Sequence, residues 1–209
     1  MEPAIEVWGL ETAANIQKVT WFLRELGLPF TAHGLGYAGG AARDDVYLKV
    51  RGGEASPVFK VGDFVLWEGN AIVRYLALRY DGAAFYPDDL QKRADIDRWM
   101  DFQLSTIRPP LHALLRDKLD PKAVARNGEK LAEAMEPVEA TLATQPYLAG
   151  ETFTIGDIPV GINAYRWHLM DVPRPPSPAI DAWLQRLYAR PAFIASIVPP
   201  AGTSVALRA

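Results

Sequence analysis

The side chains that most often carry chemistry are sparse in this 209-residue chain. It contains no cysteine, which removes disulfides, thiolate metal ligation and every mechanism built on a protein thiol nucleophile. Any thiol chemistry must therefore use a thiol borrowed from another molecule. Imidazole is available only at His33, His112 and His168, far apart and without metal-ligand spacing, so a metal centre is not expected. Asn15 and Asn70 open two helical patterns, where an asparagine side chain caps the first free amides. Phe153-Thr154-Ile155-Gly156-Asp157-Ile158 reads as a capping box with a staple: Thr154 at the cap, Asp157 three residues on, Phe153 against Ile158, and a helix from Ile155.

The elements that position these residues follow from periodicity. Ile5 to Trp8 alternates and is β-branched or aromatic at most positions, which predicts a short strand. From Asn15, Ile16, Val19, Leu23 and Leu26 recur at helical spacing, and Gly27 supplies a stop. Phe30 to Leu35 reads as a second strand, Gly34 to Gly40 as a loose connection, and Arg43 to Val50 as a short charged helix. Pro57 to Val61, the turn Gly62-Asp63 and Phe64 to Trp67 form a hairpin, and Asn70 to Arg79 a further helix. The order βαβαββα ends near Tyr80.

Beyond the turn-rich stretch from Asp81 to Pro87 no strand is expected. Gln91 to Leu115 is helical, and Pro109-Pro110 should end or kink it, because proline lacks the amide donor and clashes with the preceding turn. Glu129 to Leu142, with a possible kink at Pro137, the helix from Ile155, Pro178 to Ala189 and Pro191 to Val198 complete a helical half. Residues 199–209 read as a loosely held tail. The division is 1–81 for the first domain, 82–90 for a linker and 91–209 for an all-helical domain. Trp99, Trp167 and Trp183 lie in helical patterns and are assigned to the core.

Composition narrows the partners. The formal net charge of −3, with both signs interspersed, offers no basic stripe for nucleic acid or anionic lipid. No apolar run reaches the roughly 20 residues that span a bilayer, and Met1 to Ile5 has no signal-peptide pattern, so a cytoplasmic protein with a small-molecule partner is expected.

Several separate motifs resemble those of bacterial glutathione transferases along nearly the whole chain. Asn15-Ile16-Gln17-Lys18-Val19-Thr20-Trp21 with Glu25 to Phe30 is similar to the family's first helix, and Leu66 to Leu76 to its third. Arg98-Trp99-Met100-Asp101, Leu148-Ala149-Gly150, Phe153 to Pro159 and Ala189-Arg190-Pro191-Ala192 follow in the family's order. The resemblance implies a thioredoxin-like βαβαββα domain followed by an all-α domain, glutathione as co-substrate, a small hydrophobic electrophile as acceptor, and a homodimer.

The resemblance also assigns a site. Family members pair the cysteine backbone of glutathione with the residue before a cis-proline, here Ser56-Pro57. The chemical need is an outward main-chain edge that takes the tripeptide as an added strand. The alternative is that Pro57 merely opens an edge strand. The γ-glutamyl end is met by an acidic residue followed by Ser or Thr, here Glu68 and Gly69. Gly69 keeps the amide but lacks the hydroxyl, a loss of roughly 1.5–3 kcal/mol unless replaced. Asn70 is the candidate replacement, or else a helix cap. At the thiol end this chain reads Thr12-Ala13-Ala14-Asn15, with alanines in place of both family serines. Lowering a thiol pKa by two units needs roughly 2.7 kcal/mol of preference for the thiolate. The resemblance implies Asn15 as the activator, since it matches the asparagine that one branch of the family places near the sulfur; one donor to an anion gives about 1.5–3 and a helix end about 0.3–1 kcal/mol, enough for that role, with Thr12 as the reserve donor. Two other functions stay open: a glutathione- or ligand-binding homologue with little turnover, and reduction of disulfides or peroxides by two glutathione molecules.

Overall fold

The computed structural model describes residues 3–34, 49, 57–116 and 119–198. Strand β1 (Ile5–Gly9) runs parallel to β2 (Phe30–Gly34), with Ile5 opposite Phe30 and Trp8 opposite His33. On its other side β1 pairs antiparallel with β3 (Val58–Val61), which turns through Gly62-Asp63 into β4 (Phe64–Trp67). The sheet order is therefore β2-β1-β3-β4. Alternation places Ile5 and Val7 in the core. Glu6 and Trp8 stand on the opposite face, where Glu6 accepts from Lys60 at 3.0 Å and pairs with His33, whose ring stacks on Trp8. Apart from Lys49, the predicted helix from Arg43 to Val50 lies outside the described residues, as do most of the Gly34–Gly40 connection and the tail from Pro199.

Helix α1 (Ala14–Glu25) joins β1 to β2 and ends at Gly27, whose φ of 66° is the left-handed conformation that a glycine stop supplies. All side chains from Ile16 to Leu23 are buried. The reason is two-sided packing: α1 contacts α2 (Gly69–Arg79) and also the later helices α6 (Asp157–His168) and α8 (Pro191–Ile197). A short 3₁₀ turn at Gly82–Ala84 follows α2. From Leu90 onward the named elements are all helical, apart from an isolated bridge between Tyr147 and Gly150.

The expected break at Pro109-Pro110 takes an unexpected form. Helix α3 (Leu90–Phe102) does not stop but widens into a π-helical turn, Gln103–Ile107, and continues as α4 (Arg108–Arg116), which carries both prolines. The Arg108 amide reaches back to the Gln103 carbonyl, so the extra residue in the turn accommodates rings that a regular helix would push into its preceding carbonyls. Helix α5 (Pro121–Leu142) begins eight residues before the expected Glu129, because Asp120 caps it by accepting from the Lys122 and Ala123 amides and Pro121 takes the first turn. Helix α7 (Pro178–Tyr188) and α8 match their predicted spans closely.

The Thr154 box starts its helix two residues late, at Asp157. The Asp157 carboxylate accepts from the Thr154 amide at 2.8 Å, the Thr154 hydroxyl at 3.1 Å, the Leu148 amide at 3.0 Å and Trp183 Nε1 at 3.2 Å. Asp157 thus ties three segments of the helical half together instead of closing a single cap. Burial pushes its carboxyl up to about 6 even though all four donors pull the other way. Trp99, Trp167 and Trp183 are buried, as expected of core residues.

Candidate active site at two helix ends

Asn15 is the second residue of α1 and half-buried; it is not the cap. Ala13 holds that position in an extended conformation, with its amide donating to the Leu10 carbonyl at 2.8 Å and its carbonyl accepting from Gln17 at 3.0 Å. No side chain caps α1 among the described residues. The first-turn amides, which have no partner inside the helix, therefore face outward beside the Asn15 side chain. The capping alternative for Asn15 falls, for a geometric reason: the turn at Glu11-Thr12 brings Ala13 to the cap, two residues ahead of Asn15.

Helix α2 begins in the same way. Glu68 stands at its cap with φ 74° and ψ 112°, an exposed non-glycine residue in a region that costs about 1–3 kcal/mol. No side chain among the described residues caps this end either. Gly69 follows, buried against α1: a Cβ there would stand 3.0 Å from the Asn15 carbonyl oxygen and 3.4 Å from Lys18 Cδ. Glycine is what lets the two helix ends meet. A side chain at this position would require the Asn15 carbonyl to give by a few tenths of an ångström.

Asn70, the candidate replacement for the hydroxyl that Gly69 lacks, makes a contact across the boundary between the halves. It is the buried second residue of α2, and its Nδ2 donates to the Met100 carbonyl on α3 at 3.0 Å, which removes it as a cap. Its Oδ1 is buried without a partner among the described residues. Asn70 joins the two halves of the molecule. Pro57 is buried just ahead of β3; Ser56 lies outside the described residues. Asp101 pairs with Arg74 at 3.1 Å on the surface. Thr12 is exposed, on the turn leading into α1.

Beneath the two helix ends lie polar residues that sequence patterns did not single out. Lys18, one turn below Asn15, is only 1% exposed, and its Nζ donates to Gln103 Oε1 at 2.9 Å, on the π-helical turn. Burial pushes its ammonium down to about 7; Arg108 adds to the fall and Glu68 opposes it. Arg166 on α6 donates to the Thr12 carbonyl at 2.6 Å and to Gln17 Oε1 at 3.0 Å. Its guanidinium is pushed down to about 10 by burial and so stays charged at neutral pH. One signal was available for Arg166: a lone arginine in the apolar run of α6. Lys18 offered none, because its burial depends on α1 being covered on both sides. No group of three or more metal-ligating side chains occurs among the described residues, and no helix among them is long and apolar enough to cross a membrane.

A β2-β1-β3-β4 sheet with a helical half docked on α1, and two open helix ends meeting at its edge, defines the glutathione-transferase type of architecture. The comparisons with known proteins are specific. The N-terminal domain model of glutathione S-transferase matches residues 8–84, and the C-terminal domain model matches residues 99–191. Glutathione S-transferase GstB of Escherichia coli is 29% identical over 205 residues, covering 94% of this chain and 99% of that protein. Glutathione S-transferase 3 of Zea mays is 30% identical, covering 97% and 99%. The theta class glutathione S-transferase of Xanthomonas axonopodis pv. citri, solved with glutathione bound, superposes with a TM-score of 0.86 at 36% identity, covering 94% and 98%. The chain belongs to the glutathione S-transferase family.

Proposed function

We propose that this protein binds glutathione along the sheet edge and activates its thiol at the start of α1 for attack on a small hydrophobic electrophile. The observation that carries the reading is the contact of two uncapped helix N-termini at Gly69 and Asn15. One end offers amides and the Asn15 side chain to a thiolate. The other offers amides to the γ-glutamyl carboxylate, with Glu68 placed to meet the ammonium. In the reaction the bound thiol loses its proton, the sulfur forms a bond to the electrophilic carbon, and the leaving group departs with its electron pair. The protein contributes thiolate stabilisation and proximity. Of the seven residues assigned by resemblance, the reading keeps six: Asn15 and Thr12 at the thiol end, Ser56 and Pro57 at the cysteine backbone, and Glu68 with the Gly69 amide at the γ-glutamyl end.

Ala13 at the α1 cap, where no hydroxyl is present, favours one second reading: glutathione binding with little turnover. Calorimetry with glutathione, followed by conjugation of an aryl halide, separates the two. Binding with turnover above the uncatalysed rate supports transfer, binding alone supports the second reading, and no binding sinks both.

The exposed Phe64 and Trp67 on β4 and Leu78 on α2 leave large apolar side chains on the outside of the first half. We infer that a second copy covers them in a homodimer, since twofold pairing is the commonest way to bury such a surface. Light scattering should give twice 23.1 kDa; a monomer at micromolar concentration overturns this.

A further inference from the structure

The turn that leads into α1 is held from two directions. From within the first half, the Ala13 amide donates to the Leu10 carbonyl at 2.8 Å. From the helical half, Arg166 reaches across the boundary between them. It stands in the last turn of α6, is 4% exposed, and its Nη2 donates both to the Thr12 carbonyl at 2.6 Å and to Gln17 Oε1 at 3.0 Å. One guanidinium thus grips the residue before the α1 cap and a residue in the first turn of the helix. Since no side chain among the described residues caps α1, the direction of its free amides, of the Thr12 hydroxyl and of the Asn15 side chain depends on how this turn is held.

We propose that Arg166 is a positioning residue for the thiol end of the glutathione site, so that the helical half of the molecule sets thiolate stabilisation on the other half. The inference rests on the reading of Thr12 to Asn15 as the thiol end. Arginine suits the role because the two N–H bonds of Nη2 lie in the guanidinium plane and hold two acceptors at fixed angles, while a positive charge stays under the helix end. The titratable neighbours that feel this charge are Lys18 on α1 and Tyr165 beside it on α6. A residue that served packing alone would affect stability and leave the bound thiol unchanged.

The test compares wild type, Arg166→Met and Arg166→Lys by three readouts: the pKa of bound glutathione from thiolate absorbance, kcat and KM for glutathione with an aryl halide, and Tm. Arg166→Met should raise the thiol pKa by about one unit, lowering kcat about tenfold at pH values below the pKa of the bound thiol, with KM for glutathione changing by less than about threefold. Arg166→Lys retains the charge but offers a point donor in place of a fork, so it should lie between the two, with kcat at least about threefold below wild type. If Arg166→Met does not fold, Arg166→Lys decides. A wild-type thiol pKa and kcat in either folded variant, whatever happens to Tm, overturns the inference. Failure of the underlying reading is recognised separately, in the wild type itself: no glutathione binding, or a bound thiol no more acidic than free glutathione, removes both.

Discussion

Asn15 sits at the second position of α1 with Ala13 at the cap, and this makes Asn15→Asp a clean probe of the thiol end. An acidic residue in the first turn is favoured by the helix dipole by about 0.3–1 kcal/mol, so Tm should hold or rise slightly. A carboxylate beside the sulfur repels the thiolate and cannot donate to it. The expected result is a higher thiol pKa in the glutathione complex and turnover at neutral pH reduced about tenfold or more. An unchanged thiolate titration would move activation to Thr12 or to the main-chain amides. Gly69→Ser tests the contact between the helix ends. It adds a Cβ 3.0 Å from the Asn15 carbonyl, and overpacking of this kind costs about 1–3 kcal/mol, read as a Tm lower by several degrees. Full retention of stability would mean that α1 and α2 separate easily to admit a larger residue.

At the scale of elements, the Thr154–Asp157 box was visible in the sequence, but its reach was not. Spacing alone shows an acidic residue three positions after a threonine; it does not show that the same carboxylate collects the Leu148 amide and Trp183 Nε1 from other segments. Asp157→Ala leaves four donors without an acceptor inside the helical half, so it should lower unfolding free energy by about 3–5 kcal/mol in denaturant titration. A loss no larger than that of an ordinary cap, about 1 kcal/mol, would show that the network adds nothing beyond the cap. The π-helical turn follows the same logic. Two prolines announce a disturbance in the helix, while the form it takes, a widened turn that aims Gln103 at Lys18, belongs to the packing around it.

For the whole molecule, the boundary between the halves buries the Lys18 and Arg166 cations. Lys18 faces Glu68, Arg74, Arg108 and Arg166 from the surrounding elements, and its ammonium is pushed from 10.5 down to about 7 in the folded state. The unfolded chain therefore holds this proton more tightly between those values, and stability should rise with pH across that window, by up to roughly 1.4 kcal/mol per pH unit. Below about pH 7 the group is protonated in both states and the cost of burying its charge is fully present. Lys18→Met removes this dependence, so wild type should gain stability relative to the variant as pH increases from 7 to 9 in chemical denaturation. Parallel pH profiles for the two proteins would refute the assignment. A different cross-boundary contact is made by Arg190, which donates to both carboxylate oxygens of Glu25 at 2.8 and 2.7 Å while lying over the Phe153 ring.

The sequence by itself determined whatever depends on neighbours a few residues away. Alternation at Ile5 to Trp8, helical spacing from Ile16 to Leu26, the hairpin at Gly62-Asp63 and the cap signal at Thr154 each report local geometry, and their order defined βαβαββα followed by helices. The absence of cysteine and the motifs around Asn15 and Glu68 then pointed to a borrowed thiol. Only the tertiary structure decided which residue occupies each helix cap, that Asn70 turns toward Met100, and that Lys18 and Arg166 lie inside. These depend on partners 85 residues away for Lys18 and 154 for Arg166. A side chain's local pattern says which face of a helix it occupies, but not whether a second domain covers that face, and burial by that second domain is what makes these groups matter to the site.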